Sequence, residues 1–369
     1  DSGNFNYQIG GTILNEDMSI YTYVHFTYKN KFFIYLYPRL VSNPESFPRY
    51  TGVPRQKKRL GFNSSEVDVS GIGYENHWIN IQFGRGRQVW GAGDDLALVL
   101  NEHSPSYDHL QINTNFGKVR GKFFNGYLET VNNVNRYISG RGIEFANDKN
   151  IILSLSEIAI YSGVGRPLDI SYLNPITSHI ELELNNRSNR IGDSGGNAVW
   201  QMSLQSIVKD KILISFNLIL DELTLDSDYY NNKRDLGLGL SGELSVFNEV
   251  KDRFKTKYNS YLRYVSPRNL KHGSGYNNFV IRGRPLGYHL GNDFIEYGVG
   301  LNYFNLKNLI LRLNINYNKV GKNSMIYSPY LPNENYYSSS ILSMQNTTNT
   351  FVDLSINYLL KSNFRLSSK

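Results

Sequence analysis

The sequence contains no cysteine, so neither a disulfide scaffold nor a thiolate metal site is open to it. It also has no run of about eighteen consecutive apolar residues, which excludes a helical membrane span. Its positive excess is modest: formal charge is +7, and Lys and Arg are scattered with Asp and Glu rather than gathered into a basic stripe. That patterning argues against nucleic acid as a partner. Among the seven histidines there is no HExxH or comparable ligand spacing, and Asp226 with Asp228 is only a fragment of a calcium loop. The chain opens at Asp1 without a charged and apolar leader, which suggests either a mature form or a trimmed chain.

What the chain does have is aromatic residues and alternation. Aromatics make up 14% of the residues, mostly 28 Tyr and 19 Phe, a level suited to girdles at a membrane–water boundary. Leu309, Leu311, Leu313, Ile315 and Tyr317 interleave with Ile310, Arg312, Asn314, Asn316 and Asn318. Ile212, Ile214, Phe216, Leu218 and Leu220 likewise oppose Ser215 and Asn217, and Tyr297–Tyr303 and Val352–Tyr358 follow the same rule. A period of two means strand. With so many strands and so large a polar set, one face must meet something apolar and the other water, which is the pattern of an all-β, transmembrane, antiparallel outer-membrane β-barrel. The negative mean hydropathy of −0.41 reflects the water-facing half of each strand.

Turn chemistry orders these strands. Very short polar links at 29–31, 75–77, 147–150, 209–211 and 305–308 alternate with long ones at 41–65, 91–109, 162–198, 221–235, 266–294 and 318–350. Barrels place short turns in the periplasm and long loops outside, so the count of about sixteen to eighteen strands is expected to leave both termini periplasmic. No linker or tandem repeat interrupts the pattern, and one domain over residues 1–369 is expected.

The densest unusual segment is Gly84–Asp95, GRGRQVWGAGDD. Strict alternation from Ile79, Ile81 and Phe83 sends Arg85 and Arg87 outward, where a charge at mid-membrane costs about 2 to 4 kcal/mol. Either a glycine bulge at Gly84 or Gly86 turns the arginines inward, or the segment lies above the hydrocarbon. In both cases it is a feature of the rim or lumen.

From this segment onward the chain resembles the Wzi-like capsule-assembly family of outer-membrane barrels. The resemblance rests on GRQVWGAG from Gly86, with Leu96–Leu100 and Asn101 after it, and on GRPLDISYLNP from Gly165 to Pro175, preceded by Leu153–Tyr161 with Glu157. It extends through Tyr264, Pro267, His272, Gly283, Pro285, Leu286 and Gly287. It covers roughly residues 78 to 304, and the second motif is its most specific part. The resemblance implies a barrel of about eighteen strands with a lectin-like role, holding exported capsular polysaccharide at the cell surface. Two departures stand out. No amphipathic helical segment marks an N-terminal periplasmic bundle, and Ser and Lys follow the last aromatic residue, Phe364.

Candidate site residues fall into two groups. Arg85, Arg87, Trp90, Asp94, Asp95, Arg166 and Asp169 are expected at the lumen or rim, either as a polar ladder for a sugar chain or as mutual partners that close the lumen. Gly91, Gly93 and Pro167 shape the backbone. Tyr107, Tyr172, Tyr229, Tyr230, Tyr327, Tyr330, Tyr336 and Tyr337, in long links, offer flat apolar faces for sugar C–H groups and hydroxyls for hydrogen bonds. Ser104, Asp108 and His109 share one link, but a triad is recognised by geometry and not by adjacency, so no enzyme is expected. No cofactor or metal is expected either. The favoured partners are surface polysaccharide, outer-membrane lipid and lipopolysaccharide, with envelope proteins as further candidates. The alternative function is a porin passing small solutes through a polar lumen.

Overall fold

The computed structural model describes residues 3–368 except 15, 48–49, 148, 185–194, 222–236, 251–253, 306–308, 333–340, 344–345 and 362–363. Strands β1 (Asn4–Leu14), β2 (Asp17–Tyr28), β3 (Phe32–Val41), β4 (Ser64–Glu75) and β5 (Ile79–Gly86) begin the wall. Then follow β6 (Tyr107–Phe116), β7 (Val119–Val131), β8 (Val134–Ala146), β9 (Ile151–Val164), β10 (Gly196–Val208), β11 (Ile212–Asp221), β12 (Gly237–Val250) and β13 (Phe254–Val265). A two-residue hairpin, β14 (Val280–Ile281) and β15 (Arg284–Pro285), precedes β16 (Phe294–Asn305), β17 (Leu309–Gly321), β18 (Asn346–Lys361) and β19 (Phe364–Ser368). Leaving out the hairpin, the strands form one seventeen-stranded sheet, within the range read from the sequence. Each wall strand pairs antiparallel with the next, and β13 pairs directly with β16. Among the described residues, helix is confined to α1 (His179–Leu184) and three short 3-10 turns.

Alternation works as the sequence implied. On β11, Ile214 is exposed while Ser215 and Asn217 are buried, and on β9, Ile151, Leu153 and Leu155 face out while Ile158 and Ile160 are fully buried inside. Short turns at 29–31, 76–78, 117–118, 147–150 and 209–211 gather at one end. The opposite end carries the long links 42–63, 87–106, 165–195, 266–293 and 322–345. β1 starts at the short-turn end and β19 runs away from it, so a periplasmic C-terminus lies outside what the described residues show.

The core sits inside the long-loop end. Trp90, Leu98, Val99 and Leu100 from one loop and Leu270, Phe279, Val280, Ile281, Leu286 and Tyr288 from another pack with Phe124, Ile138, Ile158, Ile160, Val199 and Ile219 on the inner wall. Apolar residues thus fill the end of the barrel that receives the long loops.

Candidate functional site

The Gly84–Asp95 segment resolves without a bulge. Register is continuous from β4 through β5 to β6, so Arg85 keeps its outward direction and meets Asp108, also outward, through hydrogen bonds of 2.9 and 2.6 Å. This two-point ion pair sits one step beyond Phe83 and Leu110, where the wall leaves the apolar band. Asp108→Ala leaves the guanidinium alone at that boundary. It is expected to cost about 1 kcal/mol, the interfacial end of the range for charges on a barrel's lipid face, checked by denaturant unfolding in lipid vesicles. His109 points to the opposite face of β6, where its ring nitrogens meet Gln88 at 2.9 Å and the Tyr107 carbonyl at 3.1 Å. Asp108 and His109 therefore face away from each other across the wall, and no triad forms with Ser104.

Past Gly86 the chain leaves the ladder and turns inward. Arg87 donates to Asp68 and to the Ser104 carbonyl, which fixes both ends of the link. The run Leu96–Leu100 lies at 0–3% exposure as a plug against the inner wall. Its backbone is held by the polar residues that alternation turned inward. The Asn217 side chain accepts from the Ala92 amide at 2.7 Å and donates to its carbonyl at 3.0 Å. Gln201 donates to the Trp90 carbonyl at 2.9 Å, and Ser241 to the Leu96 carbonyl at 2.7 Å. Trp90 is buried edge-on against Phe124, with its indole N–H donated to Gln88. Gly93 has φ +84°, and a Cβ there would lie 2.5 Å from Leu96, so the tight turn requires glycine.

Asp94 and Asp95 latch this plug. Asp94 pairs with Lys257 at 2.8 Å, and Lys257 also reaches Glu243 at 3.0 Å. Asp95 accepts from Arg263 through its carbonyl at 3.0 Å and meets His103 Nε2 at 2.7 Å. Burial pushes the Asp95 carboxyl up, but His103, Arg263 and Asn101 together outweigh it and hold its pKa below the ordinary value. Beside them burial, reinforced by the positive charges of His103 and Arg263, brings the His289 imidazole down to about 4. A group whose folded pKa is depressed contributes stability that is present above its ordinary value of 6.5 and is lost as pH falls toward 4. The plugged end is accordingly expected to unfold at lower denaturant at pH 5 than at pH 7.5. Because part of the His289 ring meets water, the loss is expected at about 1 kcal/mol or less, and His289→Gln should shrink it in the same measurement.

Two further loops close over the plug. Gly287 lies so near that a Cβ there would sit 1.7 Å from the Leu98 carbonyl oxygen, and Tyr288 and Leu286 exchange backbone hydrogen bonds with Leu98 and Asn101. Arg136, fully buried at the end of β8, donates to Glu129 and to the carbonyls of Tyr276, Asn278 and Val280, with the Tyr330 ring 5.2 Å away. Tyr330 donates to Glu129 at 2.8 Å. Burial and that carboxylate push its hydroxyl up to about 12, so it stays a donor. At the far rim Arg282 and Arg284 reach Thr51 and the Tyr50 carbonyl, joining this loop to the link after β3.

Arg166, Asp169 and Tyr172 depart from the expected lumen and open-loop positions. They belong to a strap over 165–184 that folds down the outside of the wall. The strap covers Tyr137, Ser139 and Arg141 of β8 and Glu157, Ala159 and Tyr161 of β9, all in the same outward register as the exposed Ile143 and Leu155. Tyr172 stacks on Tyr161 at 3.9 Å, Tyr161 on Tyr137 at 5.2 Å, and Arg166 lies over Tyr161 while pairing with Asp169 at 3.1 Å. Glu157 accepts from Ser178 and from the His179 amide. The physical reason is polarity: Ser139, Arg141 and Glu157 stand in lipid-facing register, and the strap shields them.

Of the tyrosines, Tyr107 is 2% and Tyr172 4% exposed, which leaves neither a ring face for a sugar. Tyr330 is half-buried under Arg136, and Tyr327 is 57% exposed at the mouth. Tyr229, Tyr230, Tyr336 and Tyr337 lie outside the described residues. The inner wall of β2 and β3 carries an aromatic track that sequence reasoning did not single out: Tyr21, Tyr23 and His25 beside Phe33, Tyr35 and Tyr37. Gln82, Asn80 and Glu75 border it in an open cavity at the short-turn end. Arg136 and Arg263 were also missed, although inward charge on apolar strand ends was the available signal.

By fold the protein is an outer-membrane β-barrel whose long-loop end is packed with its own loops. The structure is similar to Wzi of Escherichia coli, an outer-membrane protein involved in group 1 capsule assembly and a carbohydrate-binding β-barrel. The TM-score is 0.65 at 14% identity, over 99% of this chain and 78% of that one. Weaker likeness extends to OmpT of Vibrio cholerae, with TM-score 0.48 and 8% identity over 97% and 98% of the two chains. The outer-membrane channel DcaP of Acinetobacter baumannii gives TM-score 0.45 and 7% identity over 92% and 83%. No protein-family model and no curated protein matches the sequence.

Proposed function

We propose that the protein is a single-domain, Wzi-like barrel that binds a surface polysaccharide, capsular in type, and helps attach or assemble it at the cell surface without chemical turnover. The observation that carries this reading is the apolar cluster packed across the long-loop end, in which Leu98, Leu100, Phe279, Ile281 and Leu286 occupy the space a solute path needs. A barrel that spends its long loops on filling its own mouth presents a surface rather than a conduit. That surface bears Tyr327 and, from the sequence, Tyr229, Tyr230, Tyr336 and Tyr337, with the short turns and the start of β1 assigned to the periplasm.

A porin is the second reading, favoured by the aromatic track and open cavity on β2 and β3. One experiment separates them. The purified barrel in a planar bilayer is expected to be silent and, in detergent, to retain acidic polysaccharide, with retention weakened several-fold by Tyr327→Ala, within the range for one aromatic contact. A steady current in the intact protein together with absent polysaccharide binding overturns the proposal in favour of the porin.

A further inference from the structure

The link after β3 contains four cations in five positions, Arg55, Lys57, Lys58 and Arg59 around Gln56, all exposed. Averaging charge along the chain conceals this run. Its backbone is ordered as a hairpin: the Arg55 amide donates to the Asn63 carbonyl at 2.7 Å, and Arg59 and Phe62 exchange hydrogen bonds of 2.7 and 3.0 Å. Leu60 and Gly61 form the tip at φ 52° and 86°. A leucine in the left-handed region, 96% exposed at a hairpin tip, is an uncommon choice where Asn or Gly is the unstrained one. Such a residue fits a tip whose apolar side chain enters an apolar phase.

The hairpin lies against the outer wall. Its concave side brings Arg55, Lys57, Arg59, Leu60 and Phe62 together with Leu40, which points outward from β3 like Phe32, Ile34 and Leu36. Leu40 lies about eight residues above Phe32, roughly 20 Å along the membrane normal at the usual strand tilt, near the top of a belt about 25 Å tall. The cations therefore stand at the level of outer-leaflet headgroups, with the Leu60 tip and Leu40 beside the acyl region. Among the described residues none of the four is ion-paired, and Asp17, the carboxylate that feels Lys58, is already engaged by Ser42, Asn43 and Ser46.

From this juxtaposition we infer that the Arg55–Asn63 hairpin is a binding site for a phosphorylated outer-leaflet glycolipid, with the cations on its phosphates and Leu60, Phe62 and Leu40 on its chains. A soluble acidic polysaccharide would satisfy the charges but leave the apolar tip unused. This site stands apart from the polysaccharide surface above, and its failure would leave that reading intact.

The test uses the full chain in detergent, with diphosphorylated lipid A and its dephosphorylated counterpart as probes, read by native mass spectrometry. The barrel is expected to prefer the diphosphorylated form. A variant with Arg55→Gln, Lys57→Gln, Lys58→Gln and Arg59→Gln should lose at least about tenfold in that binding, while its weak binding of the dephosphorylated form is unchanged. Leu60→Asn should weaken both forms several-fold. Heat-modifiable migration on gels confirms that each variant is folded. Equal binding of diphosphorylated lipid A by the fourfold variant overturns the inference. So does a variant that keeps lipid A but loses a soluble acidic polysaccharide.

Discussion

Excising Gly91–Val99 and joining its ends through a short Gly/Ser linker should convert a silent barrel into a conducting one. The wall does not depend on this segment, since every strand pairing from β1 to β19 is made without it. Its removal deletes the buried Leu96 and Leu98 from the mouth and returns Asn217 and Ser241, now bound to plug backbone, to water as a polar lining. In a planar bilayer the expected change is from baseline noise to steady current, at least tenfold above it on the scale of an opened aqueous lumen. A milder version, Leu98→Ala, should keep the barrel closed but lower its stability by about 2–5 kcal/mol, as for other fully buried leucines. An excision variant that folds and stays silent would show that the other loops seal the mouth alone.

Arg136→Met is expected to loosen the same region more than any other single change. The guanidinium satisfies three carbonyls of the link between β13 and β16 as well as Glu129, from a fully buried position. Removing one partner of such a buried charge pair costs about 3–5 kcal/mol, because the other is left uncompensated. Thermal unfolding should drop accordingly, and protease should cut within 266–293 in the variant well before it cuts the native protein. Adding Glu129→Gln should recover part of the loss, since it removes the stranded charge. If the single variant melts with the native protein, Arg136 does not pin the mouth.

The strand wall could be read from the sequence because alternation on β11, β16, β17 and β18 is local, and because turns such as 29–31 and 209–211 sit at the expected places. The turns at 117–118 and 132–133 escaped the reading, although Asn132 and Asn133 at φ 50° and 63° are the residues a tight hairpin favours. What the polar half of each strand contacts could not be read. Asn217 looks like lumen lining in sequence, yet its partner Ala92 is distant along the chain, and nothing local distinguishes bonding to water from bonding to a plug. Direction was hidden for the same reason at Arg166, Asp169 and Tyr172. A long link can fold into the barrel or down its flank, and only the outward Arg141 and Glu157, charges out of keeping with Ile143 and Leu155, pointed to the flank.

That flank bears on how the bilayer sits around the barrel. On β11 the outward apolar face runs from Ile212 to Leu220, about 20 Å of height, whereas on β9 bare wall extends only from Ile151 to Leu155, about 10 Å, before the strap begins. Above that line the outermost side chains are Leu168, Ile170 and Ile176 of the strap, 46%, 77% and 89% exposed. The hydrophobic girth is thus uneven around the circumference, and the lipid annulus meets rigid sheet on one side and a packed loop on the other. Such lopsided mismatch is relieved by tilt or by local thinning, so the barrel is expected to lean within the membrane, giving it a front and a back in the plane of the bilayer.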